Sequence, residues 1–166
     1  NVTLVDVASA PIVEVTEDGV RTVDGEYELD MIITALGFDA FTGAQLALPM
    51  SGRCGVRLAD SWADGPLDYL GMAIHDFPNY FQIGVGPSAA SQHNNAPLSE
   101  RQIDFAAAAI QTVLDRGAAT VEPSAEADAQ WKVLCDGLIP FTLLHLAKST
   151  WFLGHNIDGK PPAAYA

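Results

Sequence analysis

The sequence predicts an α/β fold, and three observations carry that prediction. Short β-branched runs in the first third alternate with hairpin-type turn signals, residues 31–36 form a nearly unbroken apolar run, and apolar residues from Leu98 to Leu114 recur at helical spacing.

The elements follow in order. Val2, Leu4, Val5 and Val7 read as an opening strand, and Ile12, Val13 and Val15 as a second one after Pro11. Glu17-Asp18-Gly19 and Asp24-Gly25 are turn signals, with Val20-Arg21-Thr22-Val23 as a short strand between them. Met31-Ile32-Ile33-Thr34-Ala35-Leu36, stopping at Gly37, suits a strand buried on both faces, as in a parallel sheet. Residues 43–68, rich in Gly, Pro, Ser and Asp, read as irregular connections. Tyr69 to Ile74 and Tyr80 to Val85 are further strand candidates, the second running into Gly84-Val85-Gly86-Pro87-Ser88.

A helix follows. Asn95 is a candidate cap, Pro97 fits the first turn, Glu100 lies near the positive end of the dipole, and Arg116-Gly117 closes it. Ser99 with Gln102 offers an alternative capping box a few residues later, so the start stays open between the two. A second helix begins near Ser124, with Trp131, Leu134, Cys135 and Leu138 on one face, and Pro140 interrupts it. Ser149 to Ala166 reads as extended loop.

Composition narrows the class. The 166 residues suit one ordinary domain, and 49% hydrophobic residues is too many for a disordered segment. No apolar run reaches the roughly 18–20 residues of a membrane span, and no charged n-region precedes an apolar h-region. The chain opens at Asn1 and runs straight into a strand-like stretch, as an excised piece would. Its net charge of −13 repels phosphate backbones and anionic lipid, so neither nucleic acid nor membrane is expected as a partner. Cys54 and Cys135 fit no metal or redox spacing, which points to ordinary thiols in a reducing, cytoplasmic setting.

Little of the chemistry is local. The strand-to-turn Ile83-Gly84-Val85-Gly86-Pro87-Ser88 precedes a polar stretch and a helix N-terminus. Glycine lets backbone approach a flat ligand, and free N–H groups at a helix start stabilise negative charge. A lone GxG is weak evidence, and by itself it is more often a tight turn that ends a strand. No GxGxxG fingerprint and no P-loop is present, so the chain cannot by itself hold a dinucleotide in the usual way. His75, His93, His145 and His155 sit in no metal-binding spacing, so no metal is expected. Ser88 or Ser91 with His93 lacks a nucleophile-elbow GxSxG. Trp62 and Trp131 read as core, whereas Trp151 lies in a Gly-rich polar loop where packing alone explains it poorly.

An ordered set of segments adds a resemblance. Asp30-Met31-Ile32-Ile33-Thr34-Ala35-Leu36-Gly37-Phe38-Asp39-Ala40 resembles D-x-I-I-x-A-T-G-F-D-A, Trp62 to Gly71 resembles W-x-D-G-P-x-x-Y-L-G, and Phe77 to Phe81 resembles F-P-N-L-F. Glu100 to Phe105 resembles E-x-Q-V-E-W, Trp131 with Cys135 resembles W-x-x-x-C, and Trp151 to Lys160 resembles the closing S-W-Y-x-G-A-N-I-P-G-K. These are patterns of Baeyer–Villiger-type flavin monooxygenases. The match covers nearly the whole chain in order.

The resemblance implies the C-terminal part of a fold with two dinucleotide-binding domains, one for FAD and one for NADP, with an incomplete Rossmann-like sheet and helices. Residues 1–36 would be the tail of the NADP-binding domain and residues 37–166 the C-terminal segment of the FAD-binding domain. The cofactor-binding residues it implies are Gly84, Gly86, Pro87, Ser88, Asn94 and Asn95 facing the flavin, together with Ala35, Gly37 and the NADP-contacting Trp151. Ala90, Ser91, Gln92 and His93 would border the substrate pocket. The implied reaction inserts one oxygen atom of O2 into a ketone, giving an ester or lactone, with NADPH as reductant. The alternatives are a flavin monooxygenase oxidising nitrogen or sulfur, and a non-catalytic truncated segment. No catalytic residue is assigned to this chain, because the family's active arginine and glycine motifs belong to regions it lacks, leaving the missing N-terminal portion of the same enzyme as its expected partner. Three departures stand out: Leu36 replaces the threonine of A-T-G, the Gly-Pro pair at 86–87 is displaced by one position, and Asp158 stands in place of proline.

Overall fold

The structure is a computed structural model that describes residues 2–84, 94–147 and 150–161. It falls into two compact units, Asn1–Leu36 and Gly37–Ala166.

The first unit is an antiparallel meander of β1 (Ile12–Val15), β2 (Gly19–Thr22) and β3 (Glu26–Glu28), in that spatial order. Val15 pairs with Val20, and Val20 in turn with Tyr27. Both turns fall at the glycines that mark them in the sequence. At Gly19 a Cβ would lie 2.0 Å from the Tyr27 carbonyl oxygen, so the β2–β3 pairing excludes any side chain there. Arg21 forks across the sheet, donating to Glu14 and Glu26 at 2.6 Å each. All three side chains are exposed, so these bonds fix register more than they stabilise.

Two expectations for this unit fail. Residues 2–7 form no strand and lead into a turn closed by the Asp6 carboxylate, which accepts the Ala8 N–H at 3.0 Å. Residues 31–36 are not a doubly buried strand: Met31, Ile33 and Leu36 are 74%, 83% and 87% exposed. Double-sided burial is a property of neighbours, and no described residue ladders with this run.

In the second unit the helical elements are α1 (Gly43–Leu46), α2 (Leu58–Ser61), α3 (Asn95–Asp115) and α4 (Ala125–Leu138). Leu58, Trp62, Ile74 and Phe77 form its core, with Met50 and Tyr80 packed against them. Trp62 donates its indole N–H to the Leu67 carbonyl at 3.0 Å, the polar partner that a buried tryptophan requires. Thus α1 and α2 put short helical turns where the sequence reads as irregular.

Tyr69 to Ile74 is a bend rather than a strand. Leu70 and Gly71 have φ of 59° and 68°, and Tyr69 bridges only to Ala73. Two successive left-handed residues cannot continue a pleat. The apolar signal was burial, since Met72, Ala73 and Ile74 are all core, but burial is served here by a turn. Tyr80 to Ile83 runs without a ladder; Gln82 N–H reaches Met72 O at 2.8 Å.

Helix α3 is capped by Asn94, whose Oδ1 accepts the Ala96 N–H at 3.2 Å, one residue earlier than Asn95. The Ser99–Gln102 capping box does not form, because Gln102 is buried and bonded to Gly84 instead. The helix ends as its sequence indicates, with Arg116 as C-cap and Gly117 at φ 58°. Ser124 caps α4, and Ile139–Phe141 tightens into a 3₁₀ turn at Pro140. The final segment is more structured than a loop: Trp151–Leu153 forms a 3₁₀ turn capped by Thr150. Among the described residues no helix is long and apolar enough to cross a membrane.

Candidate functional site

The Gly84 corner sits against the start of α3. Its φ of 72° suits glycine, and a Cβ there would lie 2.8 Å from the Ser99 hydroxyl. The Gly84 N–H donates to Gln102 Oε1 at 2.7 Å. Gln102 is 5% exposed and Gly84 half-buried, so this bond is partly shielded from water. The first turn of α3 holds no acidic residue, and only the neutral Asn94 side chain caps its N–H groups there among the described residues. Asn94 and Asn95 stand at that end, both exposed.

A buried polar network braces the approach to Gly84. Gln82 donates to Asp68 Oδ2 at 2.8 Å and its carbonyl oxygen accepts from Tyr80 Oη at 3.3 Å and Gln45 Nε2 at 3.4 Å. Asp68 also accepts the Gly71 N–H at 3.2 Å. Burial, reinforced by the Asp68 charge, pushes the Tyr80 phenol above its ordinary pKa. Nothing local in the sequence indicates this network, whose members are spread over 37 positions.

A second assembly brings together residues far apart in sequence. Asn156 Nδ2 donates to Phe38 O at 3.0 Å, and Lys160 Nζ reaches Asp39 Oδ1 at 2.5 Å and Ala40 O at 3.0 Å. Trp151 stacks on Phe41, with centroids 5.6 Å apart and planes at 20°, and on Phe152 at 3.9 Å. Gly37, at φ 88°, faces the Asn156 amide. Trp151 keeps 38% of its surface exposed. Of the sequence-derived site residues, Gly37 and Trp151 therefore belong to one assembly, and Gly84, Asn94 and Asn95 to the corner. Ala35 is exposed in the first unit. Gly86, Pro87, Ser88, Ala90, Ser91, Gln92 and His93 lie outside the described residues.

No protein-family model matches the chain. A Baeyer–Villiger monooxygenase of Pseudooceanicola batsensis is 43% identical over 164 residues, 98% of the chain. The closed crystal structure of cyclohexanone monooxygenase superposes on 97% of the chain with a TM-score of 0.86 at 35% identity. This chain belongs to the Baeyer–Villiger-type flavin monooxygenases. It spans about 30% of the length of either protein. The crystal structure of OTEMO in complex with FAD and NADP matches 89% of the chain, and 27% of its own length, with a TM-score of 0.78 at 38% identity.

The family-like Phe77–Phe81 segment acquires a physical reason from the structure. Asn79 tolerates φ 61°, and its amide pairs with a passing strap: Nδ2 donates to Ala119 O at 3.2 Å, and Oδ1 accepts the Val121 N–H at 3.0 Å. The strap is held further by Arg53, which donates to Glu122 at 2.6 Å, and by the His75 ring, whose Nδ1 lies 3.1 Å from Pro123 O. A carbonyl only accepts, so that nitrogen is assigned the proton. His75, Asp76 and Glu122 offer ligand atoms within 4.8 Å of one another, a cluster that sequence spacing does not reveal. Glu122 already holds the Arg53 guanidinium there.

Two further titratable groups are buried. Asp128 Oδ2 accepts the His75 N–H at 3.0 Å, while Oδ1 is buried without a hydrogen-bond partner. Burial raises the Asp128 pKa against the lowering effect of that one bond. Cys135 is buried, and its thiol is pushed up to about 11 by burial and then by Asp68.

Proposed function

We propose that this chain is the C-terminal segment of an FAD- and NADPH-dependent monooxygenase that inserts one oxygen atom of O2 into a ketone, giving an ester or lactone. The observation that carries the reading is the Gly84 corner: a glycine at φ 72° crowded by the Ser99 hydroxyl, pinned by a buried glutamine beside the acid-free first turn of a 21-residue helix. A planar ring with negative charge fits such a place, because backbone can approach it closely and the helix dipole favours anions. The crystallised relative with FAD and NADP supports the same cofactor pair.

In this reading residues 1–36 end the NADP-binding domain and residues 37–166 complete the FAD-binding domain. Gly84, Gly86, Pro87, Ser88, Asn94 and Asn95 line the flavin, Ala35, Gly37 and Trp151 serve the nicotinamide dinucleotide, and Ala90 to His93 border the ketone. When bound, the cofactors supply the electrons and the oxygen chemistry. The chain supplies position and electrostatics. Gln102 fixes the Gly84 amide, the Gln82–Asp68 network fixes the approach to it, and the dipole of α3 stabilises negative charge at its start. Trp151 and Phe41 present an aromatic face that excludes water from a bound dinucleotide. No group here is assigned proton transfer or nucleophilic attack. A cytoplasmic setting is consistent with two free cysteines.

The test uses the full-length protein and a panel of cyclic ketones, amines and sulfides. NADPH- and O2-dependent conversion of a ketone is the expected result, and turnover confined to amines or sulfides would refute it. The isolated chain should retain little FAD, and tight stoichiometric yellow colour on it would contradict the assignment of the remaining flavin site to other residues.

A further inference from the structure

Lys160 is an unusual lysine. Its side chain is only 9% exposed although its partner Asp39 is 52% exposed, so the ammonium has left water for a carboxylate and the Ala40 carbonyl. Lysines seldom bury this far unless paired. The stem is fitted as well: a Cβ on Gly154, at φ 76°, would lie 3.2 Å from Lys160 Cδ. Four residues upstream Asn156 takes the Phe38 carbonyl, so two side chains of one segment grip the backbone of residues 38–40. Phe41, next in line, is the residue on which Trp151 stacks. The polar grip and the aromatic stack are thus two ends of one fastening, which closes loops of about 120 residues.

We propose that Lys160 and Asn156 are positioning residues: they clasp the 150–161 segment to residues 38–41 and so hold Trp151 in place for the nicotinamide dinucleotide. The second half of that statement rests on the assignment of Trp151 under the proposed function. Neither side chain touches the dinucleotide in this scheme. Each acts through the indole. Asp39 is the counter-charge that makes the grip specific, since a carbonyl alone would accept any donor.

The experiment uses the full-length protein with Lys160→Met, Asp39→Asn and the exchanged pair Asp39→Lys with Lys160→Asp. Loss of one partner of this ion pair is expected to raise KM for NADPH about tenfold while kcat changes less than about twofold. FAD content should stay at that of the parent. The exchanged pair should recover most of the loss, because it restores opposite charges at the two positions. Lys160→Arg, which keeps charge and donors, should lie between the parent and Lys160→Met. In parallel, protein labelled with 5-fluorotryptophan reports Trp151 directly, its resonance identified by Trp151→Phe. Lys160→Met should shift that resonance and leave those of Trp62 and Trp131 in place. An unchanged KM in both single variants, or an exchanged pair no better than either, would overturn the positioning role. An unmoved Trp151 resonance would overturn the clasp itself. If the parent showed no NADPH oxidation at all, the proposed function would fail, and the fluorine resonance would still decide the clasp.

Discussion

Replacing Gln102 by methionine takes away the acceptor of the Gly84 N–H while keeping side-chain length and helix propensity. Gln102 is 5% exposed and Gly84 is half-buried, so water replaces the lost partner only in part. A fully buried donor left unsatisfied costs about 1–3 kcal/mol, so for the half-buried Gly84 N–H the opening equilibrium of the corner should rise toward the lower end of the corresponding roughly 5- to 150-fold range. Amide hydrogen exchange on the full-length protein, followed in peptides that contain Gly84, reads that factor directly. Exchange at Gly84 should accelerate within this range while the middle of α3 is unaffected, and flavin should dissociate more readily. Gln102→Glu keeps an acceptor and should retain part of the protection. If Gln102→Met left Gly84 exchange unchanged, the corner would be fixed by something other than this bond, and the reading of Gln102 would be wrong.

Further outcomes follow from other residues. Asn79→Ala removes both amide bonds to the strap and leaves alanine at φ 61°, so a loss of about 2–4 kcal/mol in chemical denaturation is expected; Asn79→Gly relieves only the backbone part, and equal stability of Asn79→Ala and the parent would refute the strap. Cys54 is exposed, whereas Cys135 is buried with its thiol pushed up to about 11, so a thiol reagent at neutral pH should label Cys54 alone in native protein. The Asp128 pKa is raised in the folded state, so its favourable contribution is complete below the unfolded value of about 3.9 and is lost as pH rises through the folded value. Asp128→Asn, which keeps an acceptor for His75 N–H, should therefore melt higher than the parent at pH 7, with the gap closing in acid; a gap that widened in acid would reverse the assignment.

Capping and turn chemistry act over a few residues, and those features were legible. Gly19 and Gly25 at the hairpin turns, Ser124 at the start of α4, Gly117 beyond α3 and the break at Pro140 all stand where the sequence puts them. Helical periodicity over Leu98 to Leu114 was legible for the same reason, as one stripe of a single element. The sequence pointed to Asn95 or Ser99 as the cap of α3, and the fold placed the cap at Asn94.

Sequence alone determined the punctuation of the chain, the two long helices and, through an ordered set of short patterns, its kinship with Baeyer–Villiger monooxygenases. Tertiary structure decided the fate of the apolar runs. Hydrophobicity states that residues avoid water but not what covers them, so 31–36 stands exposed and 69–74 becomes a buried bend. It also decided the partners of Gln82, Gln102, Asn79 and Lys160, whose bonds span 14, 18, 40 and 121 positions. A side chain's polarity is written locally, whereas its partner is set by the path of the whole chain.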